Sequence, residues 1–427
     1  MPLATEQTDV QPGGTTVAGA TVSSYRWVII AALVAGTWAM TLPSLSFGLL
    51  LPAIEEALDL SRIQSGFLGS SLRIGNVLIT IPAAVILSRF NPVRMAILSI
   101  GLGAAFTFLH GLAPIFAVLV IARLGFGLSF SLRVPARALL AQQWFPLREI
   151  PLVNGLTIGL GSIAEVVALA LTPFIVEATS WRITYHIYGL FGVGVMLFWV
   201  FFGKRRETPE FQERIKAAGR GAIRKVMRNR TLWLIGVGTM GAALGWWAFA
   251  VFWPTYMLEE NDFSLQRSGF LFSLLSVGTI PASIFIGLIG SRIRRRAPLI
   301  AVSGLAMAGG SFGMLLTTEM WLLAPLALLV GVSWGHLPIS LSIPYEIPGF
   351  QPRDVVVALS MITTLLMTGG ILGPLVAGAI NEITGSLLLA LFIASAAPLS
   401  MTVTALLLRE PLAAPPSSDG LVASPRP

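Results

Sequence analysis

Twelve stretches of about 20 mostly apolar residues follow one another with short polar breaks between most of them, and a helix of that length crosses a hydrocarbon layer of roughly 30 Å. They lie at residues 27–51, 64–87, 95–112, 115–140, 153–175, 183–202, 232–257, 268–290, 299–316, 321–343, 356–380 and 387–408. A backbone in lipid must satisfy its own N–H and C=O groups, which leaves helices as the structure for runs of this kind. Hydrophobic residues make up 55% of the 427 positions and charged residues 11%, so no soluble globular class fits. The expected fold class is an all-α integral membrane protein with twelve transmembrane helices.

The tetrapeptide SGFL occurs at Ser65 and again at Ser268, 203 positions later. Gly75 and Gly278 share that offset, as do Ser88-Arg89 and Ser291-Arg292, while Pro52 and Pro254 come within one residue of it. Recurrence at one long period marks an internal duplication. Six spans return the chain to its starting side, so the halves are expected as parallel repeats. The division is then a polar, disordered segment at 1–24, a six-helix bundle at 25–203, a basic linker at 204–230, a second bundle at 231–409 and a Pro- and Ser-rich tail at 410–427. The first segment lacks the basic start and apolar core of a signal peptide. Membrane proteins built from two equivalent halves keep their ligand site between them and move one half against the other.

With the N terminus placed in the cytoplasm, 21 of the 28 Lys and Arg residues fall in cytoplasmic segments, and only Arg62, Arg182 and Arg267 fall outside. That bias sets the orientation, with both termini cytoplasmic. The outer loops are acidic instead, with Glu55, Glu56, Asp59, Glu259, Glu260 and Asp262. The net charge of +8 therefore reflects topology and gives no reason to expect nucleic acid as a partner. The linker KRRETPEFQERIKAAGRGAIRKVMRNR reads as a solvated connector, or as a contact for anionic lipid. Cysteine is absent, which excludes disulfides and thiolate metal sites. No cofactor and no metal site is expected. The expected partners are the lipid bilayer, a small-molecule substrate and protons, with the chain a monomer in a bacterial or archaeal plasma membrane.

Several motifs resemble those of the major facilitator superfamily, over about residues 25–409. The loop VILSRFNPVR at 85–94 is similar to the family's cytoplasmic latch, with Ser88 where Asp is usual and Asn91 where Gly is usual. Its second copy, GLIGSRIRRR at 287–296, has Ser291 at the Asp position. The resemblance gives Arg89, Arg94 and Arg292 a structural or gating role and puts the charge-linked latch in question. RLGFG at 123–127 is similar to the family's Arg-x-x-x-Gly motif, which assigns Arg123 and Gly127 to structure. PARALLAQQWFP at 135–146, with Trp181-Arg182 ahead of span six, resembles the anion:cation symporter branch, which often has an acidic residue where Phe130 stands. GGILGP at 369–374 is similar to patterns at the family's helix interfaces, and Gly373 and Pro374 take that role.

Charged side chains inside spans are costly and point to function or to pairing. Glu165 is the one acidic residue well inside a span and is the candidate proton-coupling group; a pair with an arginine of span two or four is the structural alternative. Arg73 in span two and Arg123, Arg133 and Arg137 in span four are cationic, and a guanidinium recognises carboxylates through paired hydrogen bonds. Arg73 has Ser276 as its counterpart in the second half. The span-four arginines fall within an arc of roughly 120° at 100° per residue, which marks one helix face. Arg137 is close enough to Trp144 to reach the cytoplasmic interface. His336, amid WGHLP, is the one titratable group deep in the second half, a site for anion or proton or a neutral hydrogen-bonded histidine. Trp247 is a candidate cavity wall, and Trp253 reads as an interfacial anchor. The substrate-binding set is then Arg73, Arg133, Trp247 and His336.

Four intramembrane arginines against one glutamate favour a secondary active transporter of a small, carboxylate-like organic anion, working by alternating access and coupled to protons. Proton-coupled efflux of lipophilic compounds would use the same carboxylate with aromatic walls. A non-transporting membrane sensor is a third reading. An enzyme would need a convergent catalytic cluster such as HExxH, and none is present.

Overall fold

The computed structural model describes residues 24–87, 91–145, 150–204, 222–289, 295–350 and 352–408. Among them all regular elements are helical. In the first half these are α1 (Arg26–Leu45), α2 (Phe47–Leu58), α3 (Arg62–Leu87), α4 (Pro92–Leu112), α5 (Phe116–Trp144), α6 (Ile150–Ala178) and α7 (Trp181–Phe202). A short α8 (Ala222–Met227) precedes the second half: α9 (Arg230–Glu260), α10 (Leu265–Ile289), α11 (Ala297–Leu316), α12 (Met320–Ser333), α13 (His336–Ser342), α14 (Pro352–Thr384), α15 (Leu387–Ala396) and α16 (Leu399–Leu406). Ten stretches are long and apolar enough to cross a membrane, and α3 and α10, 26 and 25 residues long, complete the twelve.

Three spans that read as continuous are broken. Span one divides at Ser46, three residues after Pro43, which has no N–H to give to the helix. The Ser46 hydroxyl donates back to the Leu42 carbonyl at 2.7 Å, a bond that bends helices. Span ten divides at Trp334-Gly335, and span twelve at Ala397, directly before Pro398. Two other helices outrun their apolar stretches. α9 continues to Glu260 and α14 to Thr384, which carries Glu259 and Glu382 to the end of the bundle opposite Arg26 and Leu406, called the distal end below.

Glycines bring equivalent helices together in both halves. Any Cβ on Gly127 of α5 would collide with the Leu72 carbonyl of α3, and any on Gly331 of α12 with the Leu275 carbonyl of α10. Gly75 lies in the same way against Leu124 and Gly278 against Leu328. Leu72 and Leu275 are separated by the offset of the SGFL repeat, so each half makes the same close approach. Small residues at such contacts let membrane helices pack by dispersion where no hydrophobic drive separates them from lipid. Large apolar side chains such as Leu190, Phe201, Leu316 and Trp321 face outward, as lipid-facing surfaces require.

Trp253 corrects one expectation. Instead of anchoring at an interface it is fully buried, its ring 6.0 Å from that of Phe272. It belongs to a core of the second half that also takes in Phe47, Leu49, Leu50 and Leu68 from the first, so apolar packing crosses between the halves near the distal end.

Candidate functional site

The halves meet along two junctions related by the repeat, α3 on α14 and α10 on α6, and where α2 lies on α9, Gly48 against the Ala250 carbonyl. At the distal end Arg62 of α3 pairs with Glu55 in its own half and with Glu259 in the other. The Ile63 amide donates to Glu382 of α14 at 3.3 Å, and at the second junction Gln266 of α10 donates to Glu177 of α6. One turn further in, Gly66 and Gly69 of α3 sit against Pro374, and Gly269 of α10 sits against Leu169 and Pro173 of α6. The Ser70 hydroxyl then donates to the Ile371 carbonyl at 2.6 Å.

The next turn holds the charges. Arg73 donates from Nη1 to the Gly69 carbonyl at 3.0 Å, and its guanidinium carbon lies 3.2 Å from the ring centroid of Trp247 in the other half. Gly370 makes room for its stem, since a Cβ there would meet the Arg73 Cδ. At the corresponding place of the second junction, Ser276 donates to Glu165 Oε2 at 3.3 Å. Ser276 is the repeat counterpart of Arg73, so one junction carries a guanidinium and the other a carboxyl group at matched depth. Among the described residues neither Arg73 nor Glu165 forms an ion pair. A lone charge at the centre of a membrane helix costs roughly 2.5–3.5 kcal/mol, and the Trp247 stack offsets part of that for Arg73, by about 2 kcal/mol where water is excluded.

Of the span-four arginines, Arg133 and Arg137 line one small cavity with Trp199 and Arg123 lies apart. Arg123 is buried in the first half, donating from Nε to the Leu68 carbonyl of α3, with its guanidinium over Phe47 of α2 at 3.6 Å. That makes it a brace between α5, α3 and α2, with the Tyr185 hydroxyl of α7 beside its guanidinium. Arg133 turns to α1, donating from Nη1 to the Thr37 hydroxyl at 2.7 Å, with Phe130 beneath it at 4.8 Å and its Nε unpartnered. Neither has an acidic partner among the described residues.

His336 is fully buried, with Nδ1 2.8 Å from the Ser333 carbonyl. A carbonyl only accepts, so Nδ1 carries a proton, and in the neutral ring Nε2 is then an acceptor; it has no partner among the described residues. Gly373 packs against Leu244 and Ala248 of α9 within the second half, whereas Pro374 meets the first half. Arg94 is exposed at the start of α4. Arg89 and Arg292 lie outside the described residues, as does the latch they would form. His110, stacked on Tyr185 at 4.8 Å and bonded to the Phe106 carbonyl at 2.6 Å, is an internal histidine of the first half.

Sequence reasoning missed the Arg62 trio. The available signal was an arginine closing each of the two acidic outer loops, Arg62 and Arg267, with Glu56 and Glu259 separated by the repeat offset. A cavity of about 500 Å³ opens beside the trio, lined by Pro52, Glu55, Arg62 and Glu259 among others. Among the described residues no cluster of His, Cys, Asp or Glu is placed to hold a metal ion.

The sequence model of the Major Facilitator Superfamily matches residues 27–349 and 235–427. The chain belongs to that superfamily. It is a multi-pass membrane protein of a transport family. It is 23% identical over 397 residues to a probable sulfoacetate transporter of Cupriavidus necator, a match covering 86% of this chain and 90% of that protein. It is 24% identical over 235 residues to a probable L-galactonate transporter of Escherichia coli, covering 51% of each. Its fold is similar to that of a bacterial homologue of the human lysosomal transporter Spinster in an inward-facing, unoccupied conformation, with a TM-score of 0.72, 17% identity and coverage of 90% of this chain and 95% of the other.

Proposed function

We propose that this major facilitator protein is a secondary transporter of small organic anions, with the substrate held between the halves at Arg73 and a proton carried by Glu165. The observation that carries the reading is the cationic interior. Arg73, Arg123 and Arg133 are charged groups within spans, without an acidic partner among the described residues, and Arg73 stands at the junction where the halves meet. A guanidinium left unpaired in low dielectric is a receptor for a carboxylate or sulfonate. Relatives named for sulfoacetate and L-galactonate support the same chemistry.

In this reading Arg73 grips the anionic head, Trp247 holds the guanidinium plane, and Arg133 and His336 line the path in their respective halves. The basic linker and loops place both termini in the cytoplasm, and the distal end then faces outward. Access alternates as the α3–α14 and α6–α10 junctions part and close. Glu165 alternates between an ionised carboxylate that accepts from Ser276 and a neutral carboxyl, which links the junction to protonation. Arg89, Arg94 and Arg292 serve the cytoplasmic latch, and the protein works as a monomer.

The aromatic cluster of Trp246, Trp334 and Phe272 is the feature that favours the rival, efflux of lipophilic compounds. Uptake of radiolabelled gluconate into proteoliposomes under an imposed proton gradient separates the two. The expected result is gradient-driven uptake that falls about a hundredfold in Arg73→Ala, the cost of removing a charge-assisted contact. Movement of lipophilic cations instead, indifferent to Arg73, would contradict the proposal.

A further inference from the structure

We infer that the break in span ten forms a second pole of the binding site, in which Trp334, His336 and Ser340 read a hydroxyl group on the carried anion. The inference rests on the anion reading of Arg73 and adds a substrate class to it: hydroxylated monoacids.

Span ten is interrupted within its apolar stretch, α12 ending at Ser333 and α13 starting at His336. Broken helices in transporters occur where backbone and side chains serve a site rather than lipid. Three polar atoms at this break are buried with no hydrogen-bond partner: the indole N–H of Trp334, Nε2 of His336 and the hydroxyl of Ser340. Among the described residues twelve buried side-chain polar atoms lack a partner, and three of them gather at this one break, which makes it a place for the polar groups of a ligand. His336 and Ser340 are one turn apart and share a helix face. The Trp334 ring lies 5.6 Å from that of His336 and 5.4 Å from that of Trp246. Trp246 and Trp247 are consecutive on α9, Trp247 bearing Arg73 and Trp246 bearing Trp334, so the cationic and the polar groups pack against the same level of that helix.

The chemistry of the three atoms is selective. An indole N–H only donates, a serine hydroxyl donates or accepts, and His336 Nε2 accepts because its proton is held on Nδ1 by Ser333. A hydroxyl group can satisfy both a donor and an acceptor. A second carboxylate accepts from the indole and the serine but gives no proton to Nε2 of the neutral ring, and an anion without a further polar group leaves all three unpaired.

The test is thermal stabilisation of the detergent-purified full chain by three six-carbon acids at matched concentrations: gluconate, hexanoate and the dianion adipate. A ligand that binds the folded state raises its melting temperature by mass action. Gluconate is expected to bind about tenfold more tightly than hexanoate or adipate, the scale of one to two hydrogen bonds. Trp334→Phe keeps the ring and removes the N–H, and Ser340→Ala removes the hydroxyl. Each should bring gluconate down toward hexanoate and leave hexanoate unchanged. Equal stabilisation by gluconate and hexanoate, or equal loss of both in the variants, overturns the second pole and leaves the anion reading standing. No stabilisation by any acid, or stabilisation untouched by Arg73→Ala, overturns the anion reading and this inference with it.

Discussion

Arg73 is cationic inside a span, yet the group that stabilises it is a ring from the other half of the protein. The plane of the guanidinium matters as much as its charge, because a flat face stacks on Trp247 while the edge stays free for an anion. Arg73→Lys keeps the charge and loses both the plane and the fork. Its uptake is expected to fall about tenfold, short of the loss in Arg73→Ala, and initial rates in proteoliposomes measure the difference. Glu165→Gln should abolish accumulation driven by a proton gradient while leaving substrate exchange across the membrane intact, as counterflow of labelled substrate would show. Loss of both activities would make Glu165 structural. These two charges were legible in the sequence because both stand inside apolar spans. Their surroundings were not. The offset of 203 pairs Arg73 with Ser276, but only the packed helices bring Ser276 to Glu165. The Arg62 trio was hidden for the same reason, since its members Glu55 and Glu259 come from different halves.

Helices in this protein are set by apolar length and joined through glycine. Substituting Gly127 or Gly331 by leucine forces α3 from α5, or α10 from α12, at a contact with backbone that cannot move aside. Overpacking of this kind costs about 1–3 kcal/mol or more. A lowered melting temperature in detergent is the expected result, equal in kind for both halves. Gly194 in α7 and Gly309 in α11 have open space where a Cβ would go, so Gly→Ala at either should leave the protein as stable or raise stability by about 0.4–1 kcal/mol. A comparable drop at all four positions would mean that the glycines serve general flexibility instead of close approach. The twelve spans and their repeat were readable from hydrophobic length and spacing. The breaks had local signals in proline: Pro43, Pro398 and, for the Trp334-Gly335 break, Pro338, which has no N–H for the Trp334 carbonyl four residues back; hydrophobic length alone does not show them. Helix ends also escaped, because α9 and α14 continue as helix beyond the hydrocarbon length, and those extra turns bring Glu259 and Glu382 into play.

At the scale of the whole molecule, the described contacts between halves run from the Arg62 trio inward to Arg73 and Glu165, so this conformation is held together at the distal end. Glu259→Gln breaks the link between halves and leaves the Arg62–Glu55 pair within one half. Exposed ion pairs contribute at most about 1 kcal/mol each, so the expected effect is a shift in population of up to about fivefold toward a distal-open state. The absence of native cysteine makes that shift measurable in an otherwise unaltered chain. Spin labels at Thr179→Cys and Thr318→Cys, exposed residues in distal loops of opposite halves, report the separation directly. The decisive experiment records that distance distribution in lipid, with and without gluconate, in the otherwise native chain and in Arg73→Ala. Two populations whose ratio changes with the acid, and no longer changes once Arg73 is removed, are the predicted result. A single distance indifferent to the acid, or a response that survives Arg73→Ala, would contradict a site held between moving halves.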